Sequence, residues 1–134
     1  MSSRTDRACP IASPPVSAVI EIATEATDEL REALARLLPQ LSSSPPPNAE
    51  QLARLIADPG SIVFVARLGG AIVGSLTLVL YRIPTGLKAW IEDVVVDESA
   101  RGHGVGELLN RAALDEAKQR GVKGVSLTSR PSRE

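Results

Sequence analysis

Two carboxylates and a glycine-rich loop are the parts of this chain that could do chemistry. Glu92 and Asp93 stand in a β-branched run, Ile91 to Val96, and Arg101-Gly-His-Gly-Val-Gly106-Glu107 follows shortly after it. A carboxylate can take a proton from an amine or hold a cation in place. A helix start can hold an anion, because its first N–H groups have no internal partner and the helix dipole puts partial positive charge there. Gly102, Gly104 and Gly106 would let the main chain approach a phosphate without an intervening Cβ. The expectation is a pyrophosphate bound at residues 101 to 107.

Spacing narrows the pyrophosphate compound. A dinucleotide fingerprint needs G-x-G-x-x-G and an acidic residue about 20 positions on. Here the third glycine comes one place early, position 107 is Glu107, and Gly121 to Val125 contain no acid. The Gly-Lys-Ser or Gly-Lys-Thr of a P-loop is absent as well.

These residues need a strand before them and a helix after them. Ile91 to Val96 reads as a buried strand and Asp97 to Gly104 as a turn. Val105, Leu108, Leu109, Ala112 and Ala113 repeat at the spacing of an amphipathic helix. Upstream, Ala18 to Ala23 is a first strand, and a helix from Thr24–Thr27 to about Leu38 ends at Pro39. Leu41 to Pro47 is a loop stiffened by its prolines. Asn48 caps a second helix, with Gln51 in capping-box position and Pro59-Gly60 as the stop. Ser61–Arg67 and Ala71–Tyr81 are strands joined through Leu68-Gly69-Gly70, a hairpin signal. Gly74 marks a bulge or a close backbone approach. Arg82 to Lys88 reads as a turn. Gly121 caps the last helix, and Gly124 to Thr128 is a strand parallel to the central one.

At 134 residues the chain is one domain, and a net charge of −1 gives no general attraction to nucleic acid. Cys9 is the single cysteine, so no internal disulfide and no cysteine metal site is expected. No apolar run nears the roughly 20 residues of a membrane span, and no signal-type segment opens the chain. The expectation is a cytoplasmic protein without metal, membrane or nucleic-acid partner. Met1 to Ser17, rich in Ser, Pro and Arg, is expected to be a disordered tail.

The strand, acidic turn and Arg101-x-x-Gly104-x-Gly106 opening a helix resemble the GNAT superfamily of N-acetyltransferases, and the order β-α-α-β-β-β-α-β resembles its fold. The resemblance implies an α/β (α+β) domain over residues 18–134 with a mixed, mainly antiparallel sheet, and acetyl-CoA as co-substrate. Residues 102 to 107, with Arg101 beside them, would hold the pyrophosphate: Gly102, His103, Gly104, Val105, Gly106 and Glu107. Main-chain groups of Val94, Val95 and Val96 would line the pantetheine arm. Family members usually continue with a helix and two strands, so the chain is expected to be either a fragment or a shortened member. Its last strand would then expose an edge open to homodimerisation. The absent helix often carries a tyrosine that protonates the leaving thiolate, and Tyr81 lies on the wrong strand to replace it.

Acetyl transfer needs a neutral amine. A lysine-like amine with pKa about 10.4 costs on the order of 4.6 kcal/mol to deprotonate at pH 7, and an α-amine near 8 about 1.4 kcal/mol. Strand alternation puts Glu92 with Trp90 and Val94, and Asp93 with Ile91 and Val95, so only one carboxylate should face the acceptor. Ile91-Glu92-Asp93 resembles the diamine acetyltransferases, which implies Glu92 as the base; an orienting carboxylate that does not titrate is the other reading. Asp97 and Glu98 are expected to be solvated or capping, His103 exposed or in weak phosphate contact, and Trp90 core or pocket wall. Arg101 points at phosphate or pairs with Asp97 or Glu98. Ser42 to Pro47 is an acceptor wall or a plain connector. Two functions follow: an acyl-CoA-dependent N-acetyltransferase acting on an amine through a ternary complex, or a non-catalytic acyl-CoA-binding module.

Overall fold

The computed structural model describes residues 18–122 and the strand backbone at residues 125–126. The expected tail, 1–17, and most of the last strand lie outside the described residues. The elements are β1 (Val19–Ile22), α1 (Asp28–Leu37), α2 (Ala49–Ala57), β2 (Ser61–Leu68), β3 (Ala71–Ile83), β4 (Gly86–Val96), α3 (Val105–Gln119) and β5 (Val125–Ser126). This is the expected mixed α+β order. The sheet runs β1-β2-β3-β4-β5; the first four strands are antiparallel and β5 lies parallel to β4.

Local signals account for most boundaries. The Thr27 hydroxyl accepts from the Leu30 N–H and starts α1, and Asn48 and Gln51 form a full capping box at α2. Gly69 and Gly70, with φ of 63° and 89°, make the tight hairpin turn between β2 and β3. Past α3, Gly121 takes φ 91°, and the Val122 N–H donates to the Ala117 carbonyl at 3.0 Å, a Schellman close. The turn expected over Arg82 to Lys88 is shorter: β3 continues to Ile83 and β4 begins at Gly86. Only Pro84 and Thr85 are needed to reverse the chain, and Lys88, Trp90 and Glu92 already alternate with Leu87, Ala89 and Ile91.

Two apolar layers hold the sheet. On one face α3 packs Val105, Leu109, Ala113 and Ala117 onto Leu76, Leu78 and Ile91. On the other, Leu30, Leu34 and Leu37 of α1 and Leu52 of α2 cover Val63, Val65 and Val95. Gly74 proves to be both a bulge neighbour and a close approach. The register slips between Ala66 and Arg67, leaving Val73 as the extra residue of β3, and a Cβ on Gly74 would stand 3.2 Å from both Val105 and Leu109 side chains.

Candidate active site

A cleft of about 380 Å³ opens between α1, α2 and the sheet. Its apolar wall is Leu34, Leu38, Leu41 and Leu55; its floor carries Val63, Ser75, Thr77 and Asp93. Ser42, Ser44, Pro45 and Pro47 line it too, so the proline loop is more than a connector.

β4 delivers its carboxylates through an irregularity that alternation did not foretell. Thr77 pairs with Glu92 and Ser75 with Val95, so Asp93 and Val94 together oppose Leu76. Asp93 takes φ 50°, the left-handed region that a side-chain-bearing residue seldom adopts and that Asp tolerates better than most. The expected split of the two acids onto opposite faces is therefore corrected. Glu92 stands opposite Thr77, on the cleft face; Asp93 lines the cleft; Ile91 and Val94 pack on the α3 side. Trp90 is corrected as well, being neither core nor cleft wall: it is 36 % exposed, with its ring edge on Tyr81 at a centroid distance of 6.0 Å.

At the far end of β4 stands the glycine loop. Gly102 and Gly104 have φ of 90° and 74°, and nothing lies within 4 Å of where a Cβ would be on either. No side chain caps α3. The Leu108 N–H donates to the Gly104 carbonyl at 3.1 Å, so the N–H groups of Val105, Gly106 and Glu107 precede the first helical bond and are directed out of the helix start. Val105 contributes only its N–H, since its side chain is buried against the sheet. Glu107 likewise offers its N–H, its carboxylate being paired with Arg111 at 3.0 Å. Gly106 is less constrained; an added Cβ would meet Val96 Cγ2 at an ordinary 3.7 Å. These features suit a pyrophosphate: directed amides, a positive helix end and no side chain in the way.

Among the described residues, β5 pairs β4 only at Ala89 and Trp90. Arg101 pairs with neither Asp97 nor Glu98; its Nε donates to the Val96 carbonyl at 3.3 Å. His103 is exposed in the loop.

Sequence reasoning missed Arg36 and Gln40. Arg36 Nη2 donates to the Ile72 carbonyl at 2.6 Å, beside the β3 bulge, and the Asp97 N–H donates to Val73 O at 2.7 Å. Gln40 Nε2 donates to Asp97 Oδ1 at 2.8 Å, while its Oε1 accepts from the Glu98 N–H at 3.0 Å. The Ser99 hydroxyl donates to Asp97 Oδ2. That hydroxyl first, then the Gln40 amide and the charge of Arg36, hold the Asp97 carboxyl below its ordinary range. Glutamine after a proline carries no pattern that marks such a contact.

Residues 24–134 match the family described as the acetyltransferase (GNAT) family. An aminoglycoside acetyltransferase from an uncultured soil metagenomic sample, solved with sisomicin, superposes with TM-score 0.72 at 26 % identity, over 84 % of this chain and 77 % of its own. An acetyltransferase of Trypanosoma brucei reaches TM-score 0.69 at 29 % identity, covering 87 % and 85 %. Glucosamine-6-phosphate N-acetyltransferase from Arabidopsis thaliana, at 23 % identity, shares the fold with TM-score 0.71 over 83 % and 82 %.

Proposed function

The chain belongs to the acetyltransferase (GNAT) family, and from that premise we propose that this N-acetyltransferase moves an acetyl group from acetyl-CoA to a primary amine by direct transfer in a ternary complex. One observation carries the reading: a single strand, β4, leads from a cleft floored by a carboxylate to an uncapped helix start behind left-handed glycines. The aminoglycoside named for one neighbour is itself an amine-bearing acceptor, in keeping with carboxylates at the cleft.

Acetyl-CoA supplies a thioester, an acyl group already activated for attack. The backbone N–H groups of residues 102 to 107 hold its pyrophosphate, with the Arg101 guanidinium adding positive charge and the His103 ring a polar contact at the rim. The Val94–Val96 edge lines the pantetheine arm by main-chain hydrogen bonds, and a β4 N–H polarises the thioester carbonyl. Glu92 draws the proton from the incoming ammonium, directly or through water, and Asp93 holds the cation over the cleft floor. The apolar wall from Leu34 to Leu55 excludes water around the acceptor.

Calorimetric titration with acetyl-CoA, and with NADH as comparison, tests this. Micromolar binding of acetyl-CoA and none of NADH is expected; a folded chain that binds both alike, or neither, overturns the assignment.

A further inference from the structure

We infer that Gln40 is a positioning residue that couples the acceptor cleft to the anion loop, so that acyl-CoA in the loop firms the cleft wall; this rests on the acetyl-CoA reading above. Gln40 closes the 3-10 turn Leu38–Gln40 that follows α1. The Leu41 and Ser42 N–H groups both donate to the Leu38 carbonyl, at 2.9 and 3.0 Å, and Leu38, Leu41 and Ser42 all line the cleft. Across from it, Asp97 and Glu98 open the turn that ends at Arg101. There the Ala100 N–H donates to Asp97 O and the Arg101 N–H to Glu98 O, at 2.9 and 3.3 Å. One amide therefore grips the start of the pyrophosphate turn with both its donor and its acceptor, while its own backbone lies between Leu38 and Leu41, which line the cleft.

Exposed hydrogen bonds of this kind add little to stability, because water competes for every partner. Their geometric effect is larger. A ligand that fixes residues 102 to 107 fixes the turn before them, and the clasp transmits that order to residues 38 to 42. By linkage, an ordered cleft wall favours the loaded loop in return. Arg36 on Ile72 anchors the same corner one helical turn earlier.

Amide hydrogen exchange with and without acetyl-CoA is the test, since it needs no acceptor. In the wild type acetyl-CoA should slow exchange in two segments, residues 94–107 and residues 40–44. Gln40→Ala should keep the first effect and cut the second by about fivefold or more, the low end of typical coupling. The double variant Q40E/D97N should restore it. There the introduced carboxylate accepts from the introduced amide and from the Glu98 N–H, and the other oxygen at position 97 still accepts from Ser99. Protection at 94–107 alone in the wild type, or undiminished protection at 40–44 in Q40A, overturns the coupling and leaves the cofactor assignment standing. No protection at 94–107 in the wild type would instead remove the acetyl-CoA reading, and the coupling with it.

Discussion

Glu92 and Asp93 are neighbours whose backbone states differ, and that difference separates their tests. Asn tolerates the left-handed region about as well as Asp, so Asp93→Asn keeps the bulge while removing its charge. A rise in KM for a cationic acceptor with kcat little changed is expected; a fall in kcat alone would give Asp93 a chemical role in place of an orienting one. Glu92→Gln should instead lower kcat/KM by about 100-fold or more at pH 7, the low end of general-base effects. The deficit should shrink as pH approaches the amine's own pKa, where the nucleophile is already neutral. A pH–rate profile of unchanged shape would exclude Glu92 as the base. The sequence shows which residue types gather here and alternation places Glu92 correctly with Trp90, but it puts Asp93 on the face of Ile91, because an inserted residue in β4 resets the phase and no local motif marks it.

Elements were more legible than contacts. Caps, hairpin glycines and the apolar spacing of α3 are local signals, and Thr27, Asn48, Gly69-Gly70 and Gly121 each act where their chemistry predicts. Gly74 was marked as unusual, but only packing shows the reason: α3 lies on β3 so closely that a methyl group would press on Val105, Leu109 and the Val95 carbonyl. Gly74→Ala should therefore destabilise by about 1–3 kcal/mol, as overpacking does, read from denaturant midpoints. In the loop, the glycines should divide. Gly104→Ala forces a left-handed alanine at a cost of roughly 1–2 kcal/mol and should weaken acetyl-CoA binding. Gly106→Ala, inside α3 with room beside it, should be neutral or stabilise by up to about 1 kcal/mol while binding persists. Equal losses from both would mean that φ at position 104 is not what the loop requires.

The molecule as a whole is two apolar layers on a sheet, and its charged contacts sit at the rim, where their response to acid and salt can be told apart. Arg67 donates to Glu29 at 2.7 and 2.9 Å, to Glu21 at 3.1 Å and to the Gly70 carbonyl at 3.0 Å, tying α1, β1 and the β2–β3 turn together. Its hydrogen bonds hold the Glu29 carboxyl below the ordinary value of 4.5, and Ser99 and Gln40 hold Asp97 below 3.8. For carboxyls lowered in the folded state, the unfolded chain binds protons first as acid is added. Their contribution is thus complete above the ordinary values and is lost as pH falls through the lowered ones. Melting temperature should be flat from about pH 7 to 5 and fall below about pH 4, with the slope reduced in E29Q and in D97N. Salt distinguishes the two. Glu29 depends on a charged partner at the surface, so in about 1 M salt, where the screening length is near 3 Å, its share should fade. Asp97 owes its shift mainly to a hydroxyl and an amide, which salt does not screen, so the D97N difference should survive. A D97N effect that vanishes in salt would place the Arg36 charge, in place of the Gln40 and Ser99 hydrogen bonds, at the centre of that corner.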